Sequence, residues 1–134
     1  DCLAVCPWNR FASQANEARL AAPEGREPPP LAALARLDDA GFRARFAGSP
    51  VKRIGRDRFV RNVMIAIGNA RDAARFSGVI EERLADDSPL VRAAAVWAAG
   101  ETFGADAPGR VAAAMAGKED EPMVLDELEG IGAT

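Results

Sequence analysis

Histidine is absent from the 134 residues, which excludes catalysis by imidazole within this chain. Aromatic residues are scarce at 6%, although hydrophobic residues reach 49% and alanine leads them. That mix suits close-packed helices better than sheets, where β-branched and aromatic side chains are favoured. No apolar run reaches transmembrane length, and no secretory signal opens the chain. An initiator methionine is also lacking, so the abrupt start at Asp1-Cys2 predicts a piece of a longer protein. What is present suffices for one domain with a real core.

The formal charge of −3 hides an asymmetry. Between Arg43 and Arg75 stand nine Lys or Arg (43, 45, 52, 53, 56, 58, 61, 71 and 75) against Asp57 and Asp72, so that window is +7 and the remainder −10. Nucleic-acid binding is a local property of a patch, and an acidic chain does not exclude it. The plainer reading is a solvated helical surface rich in arginine. The densest part is Ser49–Asn69, SPVKRIGRDRFVRNVMIAIGN, a cationic loop running into an apolar stretch with the length of a buried helix.

The only cysteines, Cys2 and Cys6, lie in CLAVCPWN. Two cysteines three residues apart, with proline after the second, read as the tail of an iron–sulfur ligand run, whose soft thiolates match iron. Two cannot complete a four-thiolate site, so the partners must lie upstream. The alternatives are a disulfide, which the lack of a secretory signature disfavours, or two unremarkable thiols. Pro23, Gly25 and Pro28-Pro29-Pro30 then break any long helix, leaving a linker with at most a short helix around Ser13–Ala21.

Helical spacing of Leu31, Leu34 and Leu37 predicts a short helix after the prolines. Asp38 or Asp39 can cap a second one carrying Phe42 and Phe46, which Gly48-Ser49-Pro50 ends. A helix follows over about Arg58–Asn69. It is apolar around most of its circumference, hence expected between neighbours, and Gly68-Asn69 is read as its left-handed stop. Next comes Arg75–Ala85 with Val79, Ile80 and Leu84 inward, then Ser88 as N-cap and Pro89 opening a helix to about Thr102. Helices near Ala107–Ala116 and Pro122–Leu128 finish the chain, with Gly130 and Gly132 suggesting a frayed end.

Phe59-Val60-Arg61 and Leu90-Val91-Arg92 each lead an apolar helix, offset by 31 residues. A two-helix unit of this length, one helix opened by D-x-x-L-V-R, looks like a HEAT repeat. The predicted class is therefore all-α: an antiparallel HEAT-like stack over residues 31–134, preceded by a linker at 13–30 and the tail of a cluster module at 1–12.

Three elements in this order, CLAVCPWN, then GSPVKRIGRDRFVRN with IAIGN, then DSPLVRAAAVWA, resemble the C-terminal third of the epoxyqueuosine reductase family. The resemblance covers most of residues 2–100 and is weak beyond. It implies a cytoplasmic, cobalamin-dependent reductase that completes queuosine at the wobble position of tRNA. Such a protein has a cobalamin domain, a ferredoxin-like module with two 4Fe–4S clusters, and a HEAT-like domain that helps to hold tRNA. On this match Cys2 and Cys6 correspond to the last two cysteines of the second cysteine run and ligate different clusters. The chain lacks the upstream cysteines and the cobalamin domain. The segment alone is therefore expected to be inactive, with no catalytic residue of its own, and its retention of either cofactor is left open.

The tRNA anticodon arm is then the expected partner, beside the upstream cobalamin and ferredoxin-like domains, with no membrane involved. Lys52, Arg53 and Arg56 are the candidate RNA contacts, on the expectation that they lie in the loop, free of helix packing. Arg61 has two readings, RNA contact or structural ladder, whereas Arg92 is expected to bridge to acids of a neighbouring unit. Trp97 is expected to pack, and Trp8 to shield a cofactor. The competing functions are a HEAT scaffold whose basic loop meets an acidic protein, and an electron-transfer module whose helical tail only docks.

Overall fold

A computed structural model describes residues 5–11, 29–115, 117 and 119–133. Among them lie seven α-helices and no strand: α1 (Leu31–Ala35), α2 (Asp39–Arg45), α3 (Arg56–Ala70), α4 (Ala73–Leu84), α5 (Pro89–Phe103), α6 (Ala107–Ala114) and α7 (Pro122–Gly130). The all-α expectation holds over these residues. Single 3₁₀ turns cover Pro7–Phe11, Pro50–Ile54 and Gly104–Asp106. Cys2, the short helix expected around Ser13–Ala21 and most of the linker at 13–30 lie outside the described residues.

The helix starts follow the chemistry of their caps. The Asp38 carboxylate accepts the Gly41 N–H at 2.7 Å and opens α2, and Asp72 accepts the Arg75 N–H at 3.1 Å and opens α4. Ser88 occupies the N-cap of α5, with Pro89 first in the helix, yet its side chain caps nothing. The carboxylate of Asp86 does the local work instead, accepting the Ser88 N–H at 3.1 Å. At the C-terminus, α7 is tied off rather than frayed. The Gly132 N–H donates to the Glu129 carbonyl at 3.0 Å and the Ala133 N–H to that of Leu128 at 2.9 Å, with Gly132 at φ 72°. This 6→1 and 5→2 pair uses the left-handed backbone that glycine adopts without cost.

The helix apolar on every side is α5, not α3. Val91, Ala93, Ala94, Ala95, Val96, Ala98 and Ala99 are all buried, and α3, α4, α6 and α7 each pack on this helix. α3 instead buries one stripe, Val60, Val63, Met64, Ile67 and Gly68, at the spacing of a single helix face. Its other face carries exposed Arg58, Arg61 and Asn62. Alanines on α5 keep its radius small, so neighbours can close around it.

At Gly68, α3 and α5 pack closely. A Cβ built there would stand 2.6 Å from Trp97 Cζ3 and 3.0 Å from the Ala98 Cα. This glycine is a packing surface inside the helix, and the left-handed stop falls on Arg71, at φ 51°.

Phe42, Phe46 and Phe59 form a triangle with ring centroids 4.8 to 5.4 Å apart. Tilted rings at this distance attract beyond simple burial. The triangle clamps α2 to the first turn of α3, and the Pro50–Ile54 turn is held between its two anchored ends.

Candidate nucleic-acid interface

The cationic stretch divides into residues that face out and one that does not. The Ser49 hydroxyl accepts the Val51 N–H at 3.2 Å and starts the Pro50–Ile54 turn; Gly55, at φ 78°, turns the chain from it into α3. Lys52 and Arg53 close this turn. Both are exposed, and they border a shallow hollow of about 400 Å³ with Gly48, Ser49 and Pro50. Arg58 is exposed on α3, and Arg61, one turn further, donates only to the Asn62 side-chain oxygen, at 3.2 Å. Lys52, Arg53, Arg58 and Arg61, with Arg45 of α2, have no carboxylate partner among the described residues.

Arg56 is turned inward. Its Nη1 and Nη2 donate to the two oxygens of Asp86 at 2.7 and 2.6 Å, its Nε to the Leu37 carbonyl at 3.0 Å, and Nη1 also to Asp57 at 3.2 Å. Its side chain is 14% exposed and that of Asp86 3%. The expectation that Arg56 lies free of packing does not hold, because the acid that claims it sits 30 residues away. Hydrogen bonding to Asp86 raises the Arg56 pKa further above its ordinary value, more than burial lowers it. Burial pushes the Asp86 carboxyl up, but the hydrogen bonds from Arg56 and the Ser88 N–H, with the charges of Arg56 and Arg83, hold it below the usual carboxylate range.

The same device recurs two helices further along. Arg92 donates from Nε and Nη2 to Glu119 at 2.7 and 3.0 Å, and from Nη1 to the carbonyls of Asp86 and Asp87. Glu119 in turn accepts the N–H groups of Asp120 and Glu121 just ahead of α7. Arg92 thus bridges to an acid of the following segment, as expected. Its counterpart in this role is Arg56 and not Arg61. Of the remaining arginines, Arg36, Arg43, Arg71 and Arg110 pair with carboxylates, and Arg75 lies 5.2 Å from the centre of the Phe76 ring.

Trp97 is half-buried against Gly68 and the core, in line with a packing role, and also lines a groove between α3, α5 and α7. Trp8 is 73% exposed, with its ring tilted 45° to that of Phe11 at a centroid distance of 5.8 Å. Cys6 is a partly exposed free thiol. No cluster of three His, Cys, Asp or Glu that could hold a metal occurs among the described residues. Cys6 has the donor softness iron favours, but it belongs to no such group. A cluster there would need its other thiolates from outside these residues. No described helix is long and apolar enough to cross a membrane.

The geometry sorts the cations; the relatives supply a lineage. Over 98 residues the chain is 38% identical to an epoxyqueuosine reductase of Xanthomonas campestris, covering 73% of this chain and 28% of that protein. By sequence it matches a C-terminal fragment of the epoxyqueuosine reductase family. An epoxyqueuosine reductase of Alicycliphilus denitrificans is 37% identical over 105 residues, 73% of this chain and 29% of its own. One from Pseudomonas aeruginosa is 34% identical over 98 residues, 73% and 27%. The chain thus spans well under a third of the length of the epoxyqueuosine reductases it matches. No protein-family model matches it, and no solved structure does so significantly.

Two residues of this region are not singled out by sequence alone. Arg58 was visible in the basic run, but its exposure depends on which face of α3 is buried. Asp86 was visible only as helix punctuation; its signal is that an acid three residues ahead of a helix-opening proline recurs as Glu119 ahead of Pro122.

Proposed function

We propose that this chain is the tRNA-holding helical part of a longer cytoplasmic epoxyqueuosine reductase, built as a HEAT-like stack. In that protein, reduction of epoxyqueuosine in tRNA takes place on a cobalamin domain preceding this segment. Cys2 and Cys6 would supply thiolates to the two 4Fe–4S clusters of a ferredoxin-like module, groups whose chemistry is single-electron transfer. No step of the reaction is assigned to a residue of this chain. The recurring pairs Arg56–Asp86 and Arg92–Glu119 support the repeat reading, since each ties one helix to the turn before another.

The observation that carries the RNA reading is the sorting of cations. Lys52 and Arg53 stay unpaired and exposed on a turn pinned by the phenylalanine triangle, Arg58 and Arg61 on the exposed face of α3 have no carboxylate partner among the described residues, and Arg56 and Arg92 are consumed by carboxylates. Fixed cations on a rigid turn can set the register of a phosphate backbone without reading bases. Lys52, Arg53 and Arg61 are therefore the proposed phosphate contacts, with Arg58 added. Arg56 acts one step back, holding α3 and thereby the turn.

Fluorescence anisotropy of a labelled tRNA anticodon stem-loop with the full chain tests this. Binding should weaken steeply with salt, and the double reversal Lys52→Glu/Arg53→Glu should weaken it at least tenfold with helicity unchanged. Binding no better than to an acidic protein, without salt dependence, would favour the scaffold reading and end this one.

A further inference from the structure

The face shared by α3, α5 and α7 holds a groove of about 380 Å³ that the reading above does not use. Arg61 and Ile65 of α3, Trp97 of α5, and Met123 and Glu127 of α7 wall it, over a floor that includes Ala93 and Ala94. The position of the indole is set from behind, since any side chain at Gly68 would collide with it. Its N–H finds no acceptor among the described residues and is not among the enclosed unsatisfied atoms. The Arg61 guanidinium has only the Asn62 oxygen, and the Glu127 carboxylate has no cationic partner among the described residues. A cation, an aromatic ring and a carboxylate, none of them committed, converge on one apolar hollow.

Those three groups match the parts of an unpaired nucleotide. Every base has a π-face that stacks on an aromatic ring, a guanidinium takes the phosphate, and a carboxylate accepts N–H from an amino-bearing base edge. Arg61 also continues the row begun by Arg58 on the same face of α3, which follows directly from the Pro50–Ile54 turn. A polyanion held by that turn and tracking along α3 is led to the groove. We infer that this groove takes one unpaired nucleobase of an RNA loop, stacked on Trp97, with its phosphate on Arg61 and an amino N–H on Glu127. This rests on the RNA reading of the basic turn and adds a base preference: cytosine, adenine or guanine over uracil, whose exocyclic groups only accept.

The test uses the full chain carrying Trp8→Phe, which leaves Trp97 as the only indole. An RNA hairpin with a cytosine-rich loop should quench Trp97 fluorescence, and a blunt duplex of equal phosphate number should not. Trp97→Leu should weaken hairpin binding roughly 5- to 100-fold and leave duplex binding unchanged. Glu127→Gln should narrow the difference between cytosine and uracil loops. Because Trp97 also touches the core, a hairpin with an abasic loop makes the same comparison on the unaltered fold, and should bind as weakly as the intact hairpin binds Trp97→Leu. Equal quenching by the duplex, or undiminished binding of the abasic hairpin, overturns the proposal. So does an acidic peptide that quenches more strongly than RNA, which would make the groove a peptide site. Salt-dependent hairpin binding that leaves Trp97 silent overturns the groove alone and spares the basic turn. Absence of RNA binding overturns both.

Discussion

Asp86→Ala is the substitution that tests the architecture most sharply. The side chain accepts four hydrogen bonds: two from Arg56 at 2.6 and 2.7 Å, one from Arg83 at 2.9 Å and one from the Ser88 N–H at 3.1 Å. Removing one partner of a buried ion pair costs about 3–5 kcal/mol, chiefly because the other charge is left uncompensated. Arg56 keeps the Leu37 carbonyl and the more exposed Asp57, which places the expected loss near the lower end, about 3 kcal/mol. For a domain of this size that corresponds to a fall of roughly 10 °C in Tm. Urea and thermal unfolding followed by circular dichroism measure it. A cycle with Arg56→Met isolates the pair: the double variant should be more stable than the summed single losses predict, by over 1 kcal/mol on an order-of-magnitude basis. A loss under about 1 kcal/mol for Asp86→Ala, or simple additivity in the cycle, would refute the view that this pair joins α3 to the turn before α5.

Acid should probe the same contacts without mutation. The carboxyls of Asp86 and Glu119 are held below their ordinary values in the folded chain, so folding releases protons there. Their contribution is complete above the unfolded carboxylate pKa of about 4 and drains away as pH falls through the folded values, a loss that urea melts between pH 6 and 2 should trace and Asp86→Ala should blunt. Gly68→Ala gains about 1 kcal/mol of helix propensity but drives a methyl into Trp97 and the Ala98 backbone, so a net loss of about 1–2 kcal/mol is expected, with a shifted Trp97 emission. Gly78→Ala is the control: exposed in α4 with nothing within 4 Å of the added carbon, it should stabilise by about 0.5–1 kcal/mol in the same melts. Neutralising Lys52 and Arg53 together should lower the salt slope of RNA binding by about 1 to 2, read from anisotropy over a salt series.

Helix punctuation was readable because it is local. Asp38, Pro89 and Pro122 declare their helices within three or four residues, and the structure starts α2, α5 and α7 there. What resisted reading is non-local. The apolar stretch inside α3 stands out, yet over its full length α5 is the more apolar helix, and its small side chains are what let four helices surround it. Gly68 can stop a helix or admit a neighbour, and only Trp97 decides between the two. In the basic stretch, the sign of the charge was plain but its direction was not, since Arg56 turns inward toward an acid 30 residues away. The expected bridge from Arg92 holds, since its partner Glu119 lies in the segment that follows α6.

The Asp86 segment is gripped from both directions, its carboxylate by Arg56 and its backbone carbonyl by Arg92, which in turn grasps Glu119. A stack of helix pairs contacting only their neighbours could open at one end while the other stays closed. Here the two arginines lock successive turns to one another, so peeling α7 away pulls on the segment that holds α3. Amide exchange at Ser88 and Glu121, both hydrogen-bonded within this chain of clasps, should therefore proceed at a common rate set by opening of the whole domain.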